Sequence, residues 1–126
     1  MHREKLNTIS YEIIGSAIKV HDELGPGLLE STYEVCLEKE LLDKGYFVER
    51  QKELPVVYHD VKLDAGYRID LLVEGEIIVE LKSVEQLAPI HQAQILTYLK
   101  LAKKELGLLI NFNVTKLKTG IKRFVL

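Results

Sequence analysis

The sequence predicts an α/β domain, residues 1–126, in which a central mixed β-sheet is flanked by helices in the order α-α-β-β-β-α-β-β. Two amphipathic helical segments open the chain, a charged hairpin occupies its middle, and a helical segment joins that hairpin to a short apolar strand. A strand–helix–strand connection is typical of parallel pairing, whereas a hairpin is antiparallel. The sheet should therefore be mixed, and 126 residues are enough for one core.

The first helix is predicted from Thr8 to Leu24, because apolar residues recur there at helical spacing. One stripe contains Ile14, Ala17, Ile18, His21 and Leu24. Gly25-Pro26-Gly27 ends this helix. We expect His21 to be a core or capping residue, and His2 to lie in a disordered segment.

The second helix is predicted from about Leu29 to Lys44, because Gly45 then ends it. Its apolar positions are expected to be buried, and its acidic positions to face solvent. The expected buried residues are Leu37, Leu41 and Leu42, and the expected exposed acids are Glu34 and Glu38.

The remaining segments supply the sheet and one more helix. Residues 46–60 are expected to be extended, with Val56–Tyr58 as the clearest strand. After the hairpin, a third helix should span about Pro89 to Glu105. Leu108–Phe112 is short and apolar, which predicts a buried strand, and Ile121–Val125 predicts a final strand.

The charged hairpin, about residues 62–83, carries the residues of greatest chemical interest. A three-residue turn at 74–76, with its central glycine, would place Asp70 directly opposite Glu80. A two-residue turn would instead put these carboxylates on opposite faces. Lys82 follows Glu80 by two residues and therefore shares its face.

Opposed carboxylates repel each other unless a proton or a cation lies between them. Two carboxylates and an amine on one strand face are the components of a divalent-metal hydrolytic site. The alternative is that Asp70, Glu80 and Lys82 are ordinary surface charges on the exposed face of a half-buried hairpin.

Four further side chains are candidates for the same chemistry or for the core. Glu30 begins the second helix, where an acid is favourable for the helix dipole alone, or where it could face a metal site. Tyr33, one turn later, is expected to be a core aromatic with a paired hydroxyl. Gln94 and Tyr98 share a face of the third helix. Gln94 either bonds Lys82, the attacking water or a phosphate, or is a surface amide.

The charge of the chain is unevenly distributed. Residues 100–126 carry seven basic groups and one acidic group, whereas the preceding part is acidic, and the net charge is −2. The cationic end either binds a phosphate backbone or forms a solvated surface that balances the acidic part. The sequence has no long apolar run and no signal-peptide core. Cys36 is the single cysteine, which fits a reducing cytoplasm and excludes a cysteine-cluster zinc site.

Several of these segments match a known pattern. Asp70, the Glu80-Leu81-Lys82 segment and the QILTY segment that begins at Gln94 resemble the PD-(D/E)xK nuclease superfamily with its QxxxY helix. The GLLESTY segment at residues 27–33 is similar to the signature of the GxxExxY proteins, a bacterial and archaeal branch of that superfamily. The match runs from about residue 13 to residue 112. Ile69 stands where the name of the superfamily has a proline.

This resemblance implies a restriction-endonuclease-like fold and a metal-dependent nuclease that acts on nucleic acid, which we expect to be DNA. It implies Mg²⁺, for which Mn²⁺ would substitute. The implied metal-binding residues are Asp70, Glu80, Leu81 through its carbonyl and Glu30; the implied catalytic residues are these three acids with Lys82, Gln94 and Tyr98. Lys82 would orient or activate the attacking water.

The alternative function is a catalytically idle nucleic-acid-binding module of the same fold. Because so short a chain has no separate recognition domain, cutting both strands would require a homodimer or a partner protein. No membrane association is expected.

Overall fold

The structure, a computed structural model, describes residues 2–64 and 66–126; the predictions for Met1 and Ala65 lie outside the described residues. The described chain forms, in order, α1 (His2–Leu24), α2 (Glu30–Asp43), β1 (Val48–Glu53), β2 (Val56–Tyr58), β3 (Val61–Leu63), β4 (Arg68–Val73), β5 (Ile77–Lys82), α3 (Pro89–Ala102), β6 (Leu106–Asn111) and β7 (Ile121–Val125), with a short 3-10 helix at Leu117–Gly120.

The main sheet has five strands in the order β1-β4-β5-β6-β7. β5 and β6 are parallel, and the other neighbours are antiparallel. α1 and α2 pack against one face of this sheet, and α3 packs against the other. A mixed sheet flanked by helices confirms the predicted α/β class.

The central strands are apolar on both faces because both faces are covered. Along β6, Leu108 and Ile110 belong to the hydrophobic core beneath α1 and α2, whereas Leu109 belongs to the core beneath α3. All three side chains are fully buried. The apolar run predicted as a buried strand is therefore confirmed. Burial of one such side chain stabilises the fold by about 1.5–3 kcal/mol.

The N-terminal helix is longer than predicted. α1 begins at His2, so the prediction of disorder there is wrong. The reason is that the buried stripe continues toward the N-terminus, where Leu6 and Ile9 are each 4% exposed in the core. His21 is a core residue as predicted, and its Nε2 lies 2.7 Å from the Val114 carbonyl oxygen.

The extended segment after α2 divides into separate strands. β1 pairs with β4 in the main sheet, whereas β2 and β3 form a two-stranded sheet of their own. The predicted start of the charged hairpin at residue 62 is therefore wrong, because Val61–Leu63 pairs with β2. α3 ends at Ala102 and not at Glu105, because Lys103 has a left-handed backbone with φ of 57°.

Tyr33 connects the start of α2 to the core. Its ring stacks on Phe112 with centroids 4.4 Å apart. Its hydroxyl donates to the Gly25 carbonyl at 2.6 Å and accepts from the Leu28 N–H at 3.1 Å. The predicted core role with a paired hydroxyl is confirmed, and these bonds fix the turn that positions Glu30.

No helix within the described ranges has the length and apolar character needed to cross a bilayer.

Candidate active site

The β4–β5 hairpin has the predicted register. Its pairs are Val73 with Ile77, Leu72 with Ile78, and Leu71 with Val79. The turn has three residues, 74–76, and both Glu74 and the central Gly75 have positive φ, of 55° and 64°. Continuing this register by one residue places Asp70 opposite Glu80, which is the arrangement that the metal-site interpretation needs.

Beyond the pair of Leu71 with Val79, the hydrogen bonds between β4 and β5 end on side-chain carboxyl oxygens instead of backbone carbonyls. The Asp70 N–H donates to Glu80 Oε2 at 2.9 Å, and the Leu81 N–H donates to Asp70 Oδ2 at 2.8 Å. Each carboxylate is therefore held by a backbone donor of the opposite strand. Both bonds join a carboxyl oxygen of one strand to a backbone N–H of the other, so the two acids are positioned at the point where the strands separate.

The alternation of side chains along β4 is interrupted at Asp70. Ile69 belongs to the core beneath α3, whereas Leu71 belongs to the core beneath α1 and α2. The twofold alternation of a regular strand would put these two residues on one face, and the structure puts them on opposite faces. Asp70 is thus the position at which β4 departs from regular pleating.

Glu80 is not a surface charge, because the residue is only 4% exposed. Burial, followed by the charge of Asp70, raises the pKa of Glu80 from 4.5 to about 8. Burial also raises the pKa of Asp70, although the Leu81 N–H, the Gln51 amide and the charge of Lys82 oppose that rise. Both acids are costly to ionise together, and a divalent cation between them would remove that cost.

Lys82 ends β5 beside these acids. Its positive charge lowers the pKa values of both Asp70 and Glu80. Its carbonyl accepts from the Phe112 N–H at 2.9 Å, so β5 is anchored to the chain after β6 at this point. Asp70 and Glu80 are therefore brought together, and Lys82 follows Glu80 by two residues on β5; a shared catalytic role of the three residues stays a prediction.

The helices place the other predicted residues around this centre. Gln94 Nε2 donates to the Tyr98 hydroxyl at 3.2 Å, which confirms their shared face. Burial raises the pKa of Tyr98, with smaller contributions from Glu80 and Asp70, so α3 brings this phenol near the acids. Glu30 is exposed at the first position of α2 and contributes to the raised pKa of Asp70. Its contact with a metal stays a prediction.

The site includes two further polar residues, Glu34 and Gln51, that the sequence did not identify. Glu34, expected to face solvent, is 6% exposed, whereas Leu42, expected to be buried, is 48% exposed. Glu34 Oε1 accepts from Gln51 Nε2 at 2.8 Å, and the same nitrogen lies 3.3 Å from Asp70 Oδ1. Burial and the charge of Asp70 raise the pKa of Glu34. The i, i+4 spacing from Glu30 is the signal that would have placed Glu34 on the site face.

The donor set fits a hard divalent cation. Asp70 and Glu80 offer carboxylate oxygens on adjacent strands, and the Leu81 backbone follows directly. Within residues 2–64 and 66–126, no three His, Cys, Asp or Glu side chains form a ready-made metal cage. Mg²⁺ is usually bound by one or two carboxylates and several waters, so this set suits it better than a metal that needs many protein ligands.

The cationic C-terminal segment does not form one patch. β6 runs parallel to β5, so Lys116 and Lys118, which follow β6, lie toward the end of the sheet that carries Lys82. Lys103 and Lys104 precede β6 and lie toward the opposite end. Only part of the predicted cationic region is therefore near the candidate site.

Comparison with known families agrees with the motif reading. A family model described as the PD-(D/E)XK nuclease superfamily matches residues 7–124. Curated proteins and solved structures gave no match. The matched range includes Asp70, Glu80, Lys82 and the residues around them; membership of the GxxExxY branch stays a prediction.

Proposed function

Because the chain belongs to the PD-(D/E)XK nuclease superfamily, we propose that it is a metal-dependent nuclease that hydrolyses phosphodiester bonds of DNA. The observation that carries this proposal is the pair of facing carboxylates, buried Glu80 and half-buried Asp70, with Lys82 two residues after Glu80 on the same strand. The mixed sheet flanked by helices is restriction-endonuclease-like, and superfamily members typically use divalent metal ions.

Asp70, Glu80 and the Leu81 carbonyl would hold Mg²⁺, with Glu30 assisting and with Mn²⁺ able to substitute. The metal would lower the pKa of a bound water and neutralise charge on the phosphate. Lys82 would orient the attacking water and stabilise developing negative charge through its ammonium group.

The helix α3 supplies the auxiliary part of the site. The Gln94 amide donates to the Tyr98 hydroxyl, and this bond leaves the phenol proton available for a phosphate oxygen or a water. The ordinary pKa of a tyrosine is 10.0 and burial raises that of Tyr98 further, so the phenol is protonated at neutral pH. Gln94 and Tyr98 would therefore orient groups at the reacting phosphate and carry no charge themselves.

DNA is proposed over RNA from the family resemblance alone. Cutting of both strands would use a second copy of the chain or a partner protein. The single cysteine suits action in a reducing cytoplasm.

A cleavage assay tests this function. Supercoiled plasmid, linear duplex, single-stranded and branched DNA, and RNA would be incubated with Mg²⁺ or Mn²⁺, with EDTA as one control. Lys82→Ala and Glu80→Ala test the site, and Lys100→Ala, at an exposed lysine on α3, is the matched control. Loss of one group that stabilises transition-state charge typically costs about 10²–10³ in kcat, so Lys82→Ala should be nearly inactive.

Metal-dependent cleavage that persists in Lys100→Ala and is lost in both site variants would support the proposal. Cleavage by Lys82→Ala at the wild-type rate would refute the site assignment. If no substrate is cut, yet DNA binding is salt-dependent and survives Lys82→Ala, the protein is the catalytically idle nucleic-acid-binding module.

A further inference from the structure

The backbone of β1 is irregular directly opposite Asp70. β1 and β4 pair on both sides of this point, through Arg50 with Leu71 and Lys52 with Ile69. Between these pairs, Gln51 has a left-handed backbone with φ of 54°. A left-handed conformation is unfavourable for a residue with a side chain and is unusual inside a strand.

The side chain of Gln51 uses this conformation to contact two carboxylates. Its Nε2 donates to Glu34 Oε1 at 2.8 Å and lies 3.3 Å from Asp70 Oδ1. An amide nitrogen carries two hydrogens, so it can serve both acceptors. The amide also separates two acids that would otherwise face each other without a donor between them.

Glu34 is a fixed anchor for this bridge. It is 6% exposed, and Arg50 Nη1 lies 3.4 Å from its Oε2. Arg50 is itself held by Glu38, with Nε 3.2 Å from Oε1. The bridge therefore connects Asp70 to α2 through groups that are already positioned by other contacts.

Both oxygens of Asp70 are consequently constrained. Oδ2 accepts from the Leu81 N–H at 2.8 Å, and Oδ1 faces the Gln51 amide at 3.3 Å. Two donors in different directions define the plane of the carboxylate. Partners of this kind orient metal ligands, and their loss weakens metal binding even though they do not touch the metal.

We propose that Gln51 is a positioning residue, which bridges Glu34 to Asp70 and so holds the Asp70 carboxylate in the orientation that binds the metal ion. This inference rests on the proposed function. An unfavourable backbone conformation tends to persist at functional sites, and here it lies beside a buried acid and a candidate metal ligand.

The test uses two variants that both lose the amide donor and that differ in whether a side chain remains at the left-handed position. Gln51→Met keeps a side chain of similar length and removes the donor. Gln51→Gly removes the side chain but tolerates the left-handed backbone. The matched control is Lys103→Gly, because Lys103 has φ of 57° at the end of α3, toward the opposite end of the sheet.

Mn²⁺ affinity of the metal-free protein would be measured by titration calorimetry and by electron paramagnetic resonance, together with the melting temperature. Both Gln51 variants should bind Mn²⁺ about 10- to 100-fold more weakly than the wild type. Lys103→Gly should bind it with unchanged affinity. Gln51→Gly should melt close to the wild type, since relief of the backbone conformation offsets the added freedom of the unfolded chain.

The outcomes separate this inference from the nuclease proposal. Wild-type Mn²⁺ affinity in both Gln51 variants would overturn the positioning role and leave the nuclease proposal standing. Weaker binding in the variants, with no cleavage by the wild type on any substrate, would support the positioning role and remove the nuclease proposal. Absence of Mn²⁺ binding by the wild type would overturn both.

Discussion

Glu80→Gln should stabilise the metal-free protein, and more so at high pH. Burial, followed by the charge of Asp70, raises the pKa of Glu80 from 4.5 to about 8. The folded protein therefore binds more protons than the unfolded chain between these pH values. The contribution of protonated Glu80 to the free energy of unfolding is present in full below the lower pKa and falls as the pH rises toward the higher one. The variant removes this titration and keeps an oxygen to accept from the Asp70 N–H.

The magnitude follows from proton linkage. Each pH unit inside the window costs at most about 1.4 kcal/mol, so between about pH 5.5 and pH 8 ionisation of Glu80 lowers the free energy of unfolding by about 3 kcal/mol. The advantage of Glu80→Gln over the wild type should grow by that amount. For a chain of 126 residues, this corresponds to about 10 °C in melting temperature.

Urea and thermal unfolding of both proteins in EDTA at the two pH values would measure this difference. Glu85→Gln, at an exposed glutamate in the loop after β5, is the control and should follow the wild type. Saturating Mn²⁺ should stabilise the wild type and leave Glu80→Gln almost unchanged. An advantage of Glu80→Gln that is equal at both pH values, or that is absent at pH 8, would refute the argument.

Mn²⁺ binding should tighten between about pH 6 and pH 8, because the raised pKa of Glu80 means that binding must release a proton; calorimetry in two buffers would detect it, and a pH-independent affinity would contradict it. Tyr33→Phe removes a hydroxyl that bonds two backbone groups, and should lower the free energy of unfolding in urea by about 1–3 kcal/mol; wild-type stability would show that these bonds contribute nothing. Gly120→Ala would force a methyl group into the Asn111 carbonyl and should be strongly destabilising, whereas Gly15→Ala, in open space on α1, should stabilise by about 0.5–1 kcal/mol; equal melting temperatures would disprove the steric argument.

Local patterns predicted the elements whose causes are local. The final strand, Ile121–Val125, has the predicted bounds, and α2 differs from its prediction by one residue at each end. The shared helix face of Gln94 and Tyr98 followed from helical spacing alone, whereas the hydrogen bond between them was not predicted. The three-residue hairpin turn is one of the two turns that the sequence allowed around Gly75. These features depend on the twofold or 3.6-fold repeat of one segment and on residues that end it.

Predictions failed where a distant segment decides the outcome. Glu34 is buried and Leu42 is exposed, which is the reverse of the prediction. The reason is that the face that α2 turns inward depends on how it packs over the sheet and against Arg50. β2 and β3 lie outside the main sheet because they pair with each other. The left-handed Gln51 had no sequence signal, since glutamine rarely adopts this conformation and its partners lie on α2 and β4.

The sequence by itself determined that Asp70, Glu80 and Lys82 lie on one hairpin, and that the length of its turn decides whether the two acids oppose each other, because side chains along a strand have a twofold repeat. Only the tertiary structure decided that Glu80 is buried and Asp70 half-buried, that the pKa values of both acids rise, and that Gln51 connects Asp70 to Glu34. Burial and electrostatic coupling depend on what α2, α3 and β1 place around the hairpin. Those contacts join residues far apart in the chain, and no local pattern encodes them.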